Sequence, residues 1–205
     1  TTLFLQTSLL NIMRAKYDKE SIIAQGAKLF RKEGYHHVGI NALLKVCEIP
    51  KGSFYNFFES KEDFVVQTLS WYGTKQQGYI KHMLKPENGS PLERLRFFYK
   101  TLINENEQDG LDAGCLVNNI SIEVAGLNDQ VGKEAFQQFK SWTNIIAETV
   151  EQGQETGEIR KDFSSTQIAE YLHSGLYGAF PLMKSQRSRQ PLDLWFSMAF
   201  TFIQA

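Results

Sequence analysis

The chain has 205 residues, 42% of them hydrophobic, and a formal net charge of −1, enough apolar content for one sizeable core or two small ones and too little net charge for a general polyanion binder. Two cysteines exclude a disulfide framework. No apolar run approaches the roughly 18 residues of a membrane span, and the mixed start Leu3–Ile12 has no charged n-region or small-residue cleavage site, so no membrane anchor or signal peptide is expected and a reducing cytoplasm is the simpler compartment.

Charge is uneven along the chain. Residues 1–66 hold 9 Lys/Arg against 7 Asp/Glu, and residues 67–205 hold 13 against 16. The signs suit a nucleic-acid-binding head on a slightly acidic body. Met13-Arg14-Ala15-Lys16 looks like a natural start, so residues 1–12 read as an upstream extension within a leading segment 1–17.

The periodicity is helical throughout, and four of the five prolines (Pro50, Pro86, Pro91, Pro191) fall at boundaries. A first helix is predicted over about Asp18–Glu33, with Ile22, Ile23, Ala27, Leu29 and Phe30 inward, Asp18 as cap and Gly34 as stop. A second covers about Ile40–Cys47, with Ile40, Leu43, Leu44 and Cys47 inward. A third covers about Lys51–Phe57. Ser60-x-x-Asp63 opens a fourth that runs to about Met83. Pro86–Gly89 is a turn, and Ser90-Pro91-Leu92-Glu93 starts a helix that reaches about Asn106. A short helix is predicted over about Cys115–Val124, a long one from Asn128 to about Gly153–Gly157, and another from Ser164 or Ser165 to about Met183. Ser185–Gln190 reads as a loop before a last helix, Pro191–Ile203.

Three short helices and the start of a longer one make a helix-turn-helix module over 18–64. The third helix is about 10 Å long at ~1.5 Å per residue, which fits a major groove about 12 Å wide. Gly52 lets backbone approach DNA closely. Lys51, Ser53, Tyr55 and Asn56 can project toward bases and phosphates, and Lys61 can reach a phosphate. Tyr55 also fits a position half in the core, and Asn56 a solvated one. Phe54, Phe57 and Phe58 read as core.

Ala27, Leu29-Phe30, Gly34-Tyr35, Lys51-Gly52-Ser53, Tyr55, Phe57-Phe58 and Ser60-Lys61-Glu62 together resemble the TetR/AcrR family of one-component transcriptional regulators. The resemblance implies an all-α chain whose head binds pseudo-palindromic, double-stranded operator DNA. Its helical body, residues 65–205, would bind a small molecule and form a homodimer through the last two helices. It places the DNA contacts on Lys51, Gly52, Ser53, Tyr55, Asn56 and Lys61. The chain departs from the family pattern at Val38-Gly39, where a hydroxyl is common, at Glu48 in place of a turn glycine, and at Pro50 in place of serine. Glu48 puts the usual left-handed turn in question.

In the body, Gly114-Cys115-Leu116-Val117-Asn118-Asn119 and Ser121-x-Glu123-Val124 resemble the branch of that family containing the N-ethylmaleimide reductase repressor and acrylate-responsive regulators. That resemblance implies sensing of electrophiles or small unsaturated acids. Cys115 at a helix start is expected to have a lowered thiol pKa and to add to an electrophile or be oxidised. A buried small hydrophobe is the other reading. Lys184 could supply a cation to a thiolate, or be solvated. Phe98, Tyr99, Leu102, Asn119, Glu123, Phe139, Trp142, His173 and Tyr177 are pocket candidates, each of which could instead be core. Cys47 belongs to the head's core.

Ile168, Leu172, Leu176, Ala179 and Phe180, followed by Leu194, Trp195, Met198, Ala199 and Phe202, form apolar stripes that fit either a partner chain or the chain's own core. Gly175 and Gly178 would allow close helix approach. No metal-ligand spacing, phosphate loop or nucleophile–base–acid set occurs, so no enzyme activity, cofactor or metal is expected. A small all-α enzyme or carrier is the remaining rival, against which the basic helix-turn-helix residues argue.

Overall fold

The computed structural model describes residues 17–110 and 114–205, so the expectation for residues 1–12 lies outside the described residues. The described chain is helical. α1 spans Lys19–Glu33, capped by the Asp18 carboxylate, which accepts the Glu20 and Ser21 N–H groups, and stopped by Gly34 at φ 78°. α2 spans Ile40–Val46 and starts at Gly39 with no side-chain cap. α3 spans Lys51–Tyr55, two residues shorter than predicted. α4 spans Lys61–Met83, capped by Ser60. After a 3₁₀ turn at Pro86–Asn88, α5 spans Pro91–Gln108 behind the Ser90–Glu93 capping box. α6 spans Leu116–Val124, α7 Asp129–Thr156, α8 Ser165–Gln186 and α9 Gln190–Ile203.

One boundary corrects the sequence reading. The predicted loop at Ser185–Gln190 is shorter, because α8 continues through Pro181 to Gln186 and stops where Arg187 turns left-handed at φ 48°. The Ser185 hydroxyl donates to the Pro181 carbonyl at 2.8 Å and supports this last turn.

The head is built around an aromatic knot. Phe58 meets Phe54 at 5.0 Å and Phe64 edge-on at 4.7 Å between ring centroids, over buried Ile22, Phe30, Val38 and Leu43. A Cβ on Gly26 would lie 2.3 Å from the Phe64 ring, so only glycine fits that crossing. Cys47 is buried here, as expected, and donates to the Ile22 carbonyl. α4 continues from head to body, and Phe64, Leu69 and Ile80 along it belong to one continuous buried core. There α4 and α8 pack along α7.

The predicted partner stripes divide. Ile168, Leu172, Leu176, Ala179, Phe180 and Ala199 are buried within the chain, so of the two readings these residues take that of the chain's own core. Leu194 and Met198 remain exposed, at 59% and 62%, and together with exposed Leu182, which the stripes did not include, they line a groove of about 400 Å³ between α8 and α9. Gly175 serves the chain itself, since a Cβ there would lie 2.2 Å from the Trp195 ring nitrogen, whereas a Cβ on Gly178 would meet nothing. α9 is fastened at both ends. Arg189 bonds Glu107, Asn104 and Asp193 at its start. At its end, Arg160 N–H donates to the Ile203 carbonyl at 3.0 Å beside an isolated antiparallel bridge between Ile159 and Gln204.

Candidate DNA-binding face and sensor cavity

The turn before α3 is sharp because Glu48 takes φ 50°, a left-handed conformation that normally falls to glycine. The departure from glycine therefore leaves the turn geometry intact, at the cost of local strain. Pro50 sits at the N-cap of α3 in extended conformation. Beyond it, Lys51, Gly52, Tyr55 and Asn56 all face solvent, Tyr55 at 44% exposure. A Cβ on Gly52 would meet nothing, so its outward side is open.

Two of the predicted contacts are placed differently. Ser53 is 1% exposed, turned with Phe54 into the head's core, so its hydroxyl does not reach the outer face. Lys61 is half-buried: its ammonium donates to the Tyr35 carbonyl at 2.7 Å and lies 3.7 Å from the Tyr35 ring centroid. Burial there pulls its pKa down. Tyr35 in turn donates its hydroxyl to Glu62 at 2.8 Å. Lys61 thus binds the head together in this conformation.

Cys115 stands at the N-cap of α6, in the wall of a cavity of about 170 Å³. Phe98, Leu102, Trp142, His173 and Tyr177, all predicted, line the same cavity. The expected lowering of the thiol pKa is not what the site produces. Burial raises it, and it outweighs the backbone N–H groups of Asn118 and Val117 and the Tyr177 and Tyr72 hydroxyls, which all favour the thiolate. The resting thiol is protonated. The hydroxyls hold it where a thiolate formed during reaction would be stabilised. Burial also keeps His173 neutral, with a pKa lowered to about 3.

Five other candidates lie away from the cavity. Asn119 accepts from the Lys184 ammonium at 3.1 Å in a separate, more open groove, so Lys184 is engaged beside Gly114. Glu123 belongs to the head–body junction: one carboxylate oxygen accepts the Tyr35 N–H at 2.9 Å and the His36 N–H at 3.2 Å. Gly34, at positive φ, lies against that carboxylate, which a Cβ would meet at 2.7 Å. Tyr99 is buried and Phe139 packs on Trp142 and Tyr177.

Sequence reasoning missed Tyr72, Asn106 and Arg31. Tyr72 and Asn106 lie on the apolar stripes of α4 and α5, where a polar group at a core position was the available signal. Arg31 looks like any surface charge on α1. It donates through Nε to the Gly114 carbonyl at 2.8 Å and pairs with Asp109 at 2.7 Å, so the head touches the residue next to Cys115.

Comparison with known proteins agrees with this layout. Residues 22–68 match the family described as bacterial regulatory proteins, tetR family, and residues 91–198 match the tetracyclin repressor-like C-terminal domain. The chain is 33% identical over 183 residues to the HTH-type transcriptional repressor DhaR of Mycobacterium sp. strain GP1, covering 89% of this chain and 90% of that one. It is 29% identical to the transcriptional regulator AcuR of Cereibacter sphaeroides, covering 84% and 79% of the two chains. The crystal structure of the reduced form of Escherichia coli NemR superposes with a TM-score of 0.84 at 28% identity, over 91% of this chain and 96% of the other.

Proposed function

The chain belongs to the TetR family of bacterial regulatory proteins, and from that membership we propose that it is a cytoplasmic, homodimeric repressor that leaves its operator when a small electrophile modifies Cys115. Lys51, Gly52, Tyr55 and Asn56 form the face presented to the major groove. Two heads would read half-sites of a pseudo-palindromic operator. The exposed Leu182, Leu194 and Met198 and the open side of Gly178 support pairing through α8 and α9.

One observation carries the reading: the hydrogen bond from Arg31 in the head to the carbonyl of Gly114, immediately before Cys115. The thiol of Cys115 adds across an activated C=C bond. A carbon–sulfur bond forms, and the thiol proton ends on the carbon next to the carbonyl. An adduct in a cavity of about 170 Å³ displaces the start of α6, and Arg31 and Glu123 are the groups through which that displacement reaches the head. Two dimer states of different head spacing then differ in operator affinity.

The test is a mobility shift with the DNA upstream of the protein's own gene, with and without N-ethylmaleimide. Wild type is expected to bind and be released, and Cys115→Ser to bind and stay bound. Release of Cys115→Ser to the same extent rejects the covalent input. A reversible, non-covalent small ligand, apolar or acidic, is the second reading; the cavity, whose walls are largely apolar, favours an uncharged one, independent of the thiol.

A further inference from the structure

Two side chains in the cavity wall carry polar atoms that the fold leaves unpaired. Asn106, 7% exposed, donates through Nδ2 to the Leu102 carbonyl at 2.8 Å, but its Oδ1 meets no donor. His173, 3% exposed, has neither ring nitrogen hydrogen-bonded; its neighbours are the faces and edges of Trp142 and Tyr177, at 5.9 and 4.5 Å between centroids. Native folds rarely leave such atoms unpaired, because each gives up its hydration for nothing in return. Both residues line the cavity that holds Cys115.

Size and charge narrow what could satisfy them. A volume of about 170 Å³ is close to that of an engineered apolar cavity of about 150 Å³ that accepts benzene. Phe98, Trp142, Leu176 and Phe180 give the walls aromatic and aliphatic faces. The charged groups offer nothing to an acid. Arg31 is committed to Asp109 and the Gly114 carbonyl, and Glu105 accepts the Tyr79 hydroxyl.

We infer that this cavity reversibly holds one uncharged six-membered ring carrying both a hydrogen-bond donor and an acceptor, with Asn106 Oδ1 taking the donor and the His173 ring the remaining polar group. The inference rests on the reading of this cavity as the regulator's input. It adds the ligand's class and removes the need for a covalent bond. Neutral His173 presents one N–H and one bare nitrogen, so a phenol or a primary carboxamide matches it in either tautomer. A carboxylate does not match, because Asn106 Oδ1 and Glu105 would face it with oxygen.

Calorimetric titration of Cys115→Ser with benzamide, toluene and benzoate separates this binding from thiol chemistry. Benzamide is expected to bind once per chain, at least about 10-fold tighter than either comparison probe. His173→Phe and Asn106→Leu are each expected to lose about 10-fold for benzamide and none for toluene. Toluene or benzoate binding as tightly as benzamide, no benzamide binding, or full benzamide affinity in both variants overturns the inference. Should those variants fail to fold, wild type gives the same answer. Benzamide must slow N-ethylmaleimide labelling of Cys115 more than equimolar toluene does, and equal slowing also overturns it. Benzamide binding without operator release by N-ethylmaleimide would remove the covalent input and keep the ligand class; release without benzamide binding would do the reverse.

Discussion

Glu123 accepts the backbone N–H of Tyr35 at 2.9 Å across 88 positions of the chain, tying the far end of α6 to the loop between α1 and α2. Cys115 stands at the near end of the same helix. Nine residues without glycine or proline separate the two ends by about 13 Å at ~1.5 Å per residue.

Removing this tie should separate sensing from binding. Glu123→Ala is expected to cost about 1–3 kcal/mol of stability, since two backbone donors lose a charged acceptor. It should keep operator affinity within about threefold while weakening release by N-ethylmaleimide. Thermal unfolding and mobility shifts read the two effects, and full release by the variant would show that α6 is not the connection.

The two lysines of the head should behave differently. Lys51 faces solvent, so Lys51→Ala should weaken binding to all sequences and lower the salt slope by about 1. Lys61 is held by the Tyr35 carbonyl and ring, so Lys61→Ala should lower the head's stability by about 1 kcal/mol. An unchanged melting temperature for Lys61→Ala would show that the Tyr35 contact contributes nothing in solution.

His173 should make stability depend on pH. Its folded pKa of about 3 lies below the ordinary histidine value of about 6.5, so the unfolded chain binds the extra proton. The resulting stabilisation is complete above pH 6.5 and declines as pH falls toward 3. Between pH 7 and pH 5 the loss is about 2 kcal/mol. Urea unfolding at both pH values should show that His173→Leu loses less than wild type does. Equal losses would mean that His173 protonates freely in the fold.

A charge on the exposed face of α8 and α9 should dissociate the dimer. Met198→Glu and Leu194→Glu are expected to sediment as monomers with unchanged helix content and to lose at least about 100-fold in operator affinity, because paired half-sites are no longer read together. A dimeric Leu194→Glu, Met198→Glu double variant would place the interface elsewhere.

The caps and stripes were legible because they are local. Asp18, Ser60, Ser90, Asn128 and Ser164 each bond backbone within three positions. Turns made by the wrong residue type were not legible: Glu48 and Arg187 adopt positive φ where glycine is the usual signal. Ser53 misled because α3 is so short that the residue before Phe54 shares its inward face. The cavity was partly legible. Phe98, Leu102, Cys115, Trp142, His173 and Tyr177 came together as a set. The bonds of Glu123 and Arg31 were not legible, because their partners lie 88 and 83 positions away and no local pattern encodes such a pairing.

The fastening of α9 fixes what can move. Its first turn is bound to the end of α5 through Arg189, and its last residues are pinned by the main chain around Ile159 and Arg160. A helix held at both ends neither slides nor unwinds without breaking those bonds. The α8–α9 pair is therefore expected to stay fixed when the molecule responds, and the motion is expected in α1, α4 and α6, which pack on one another.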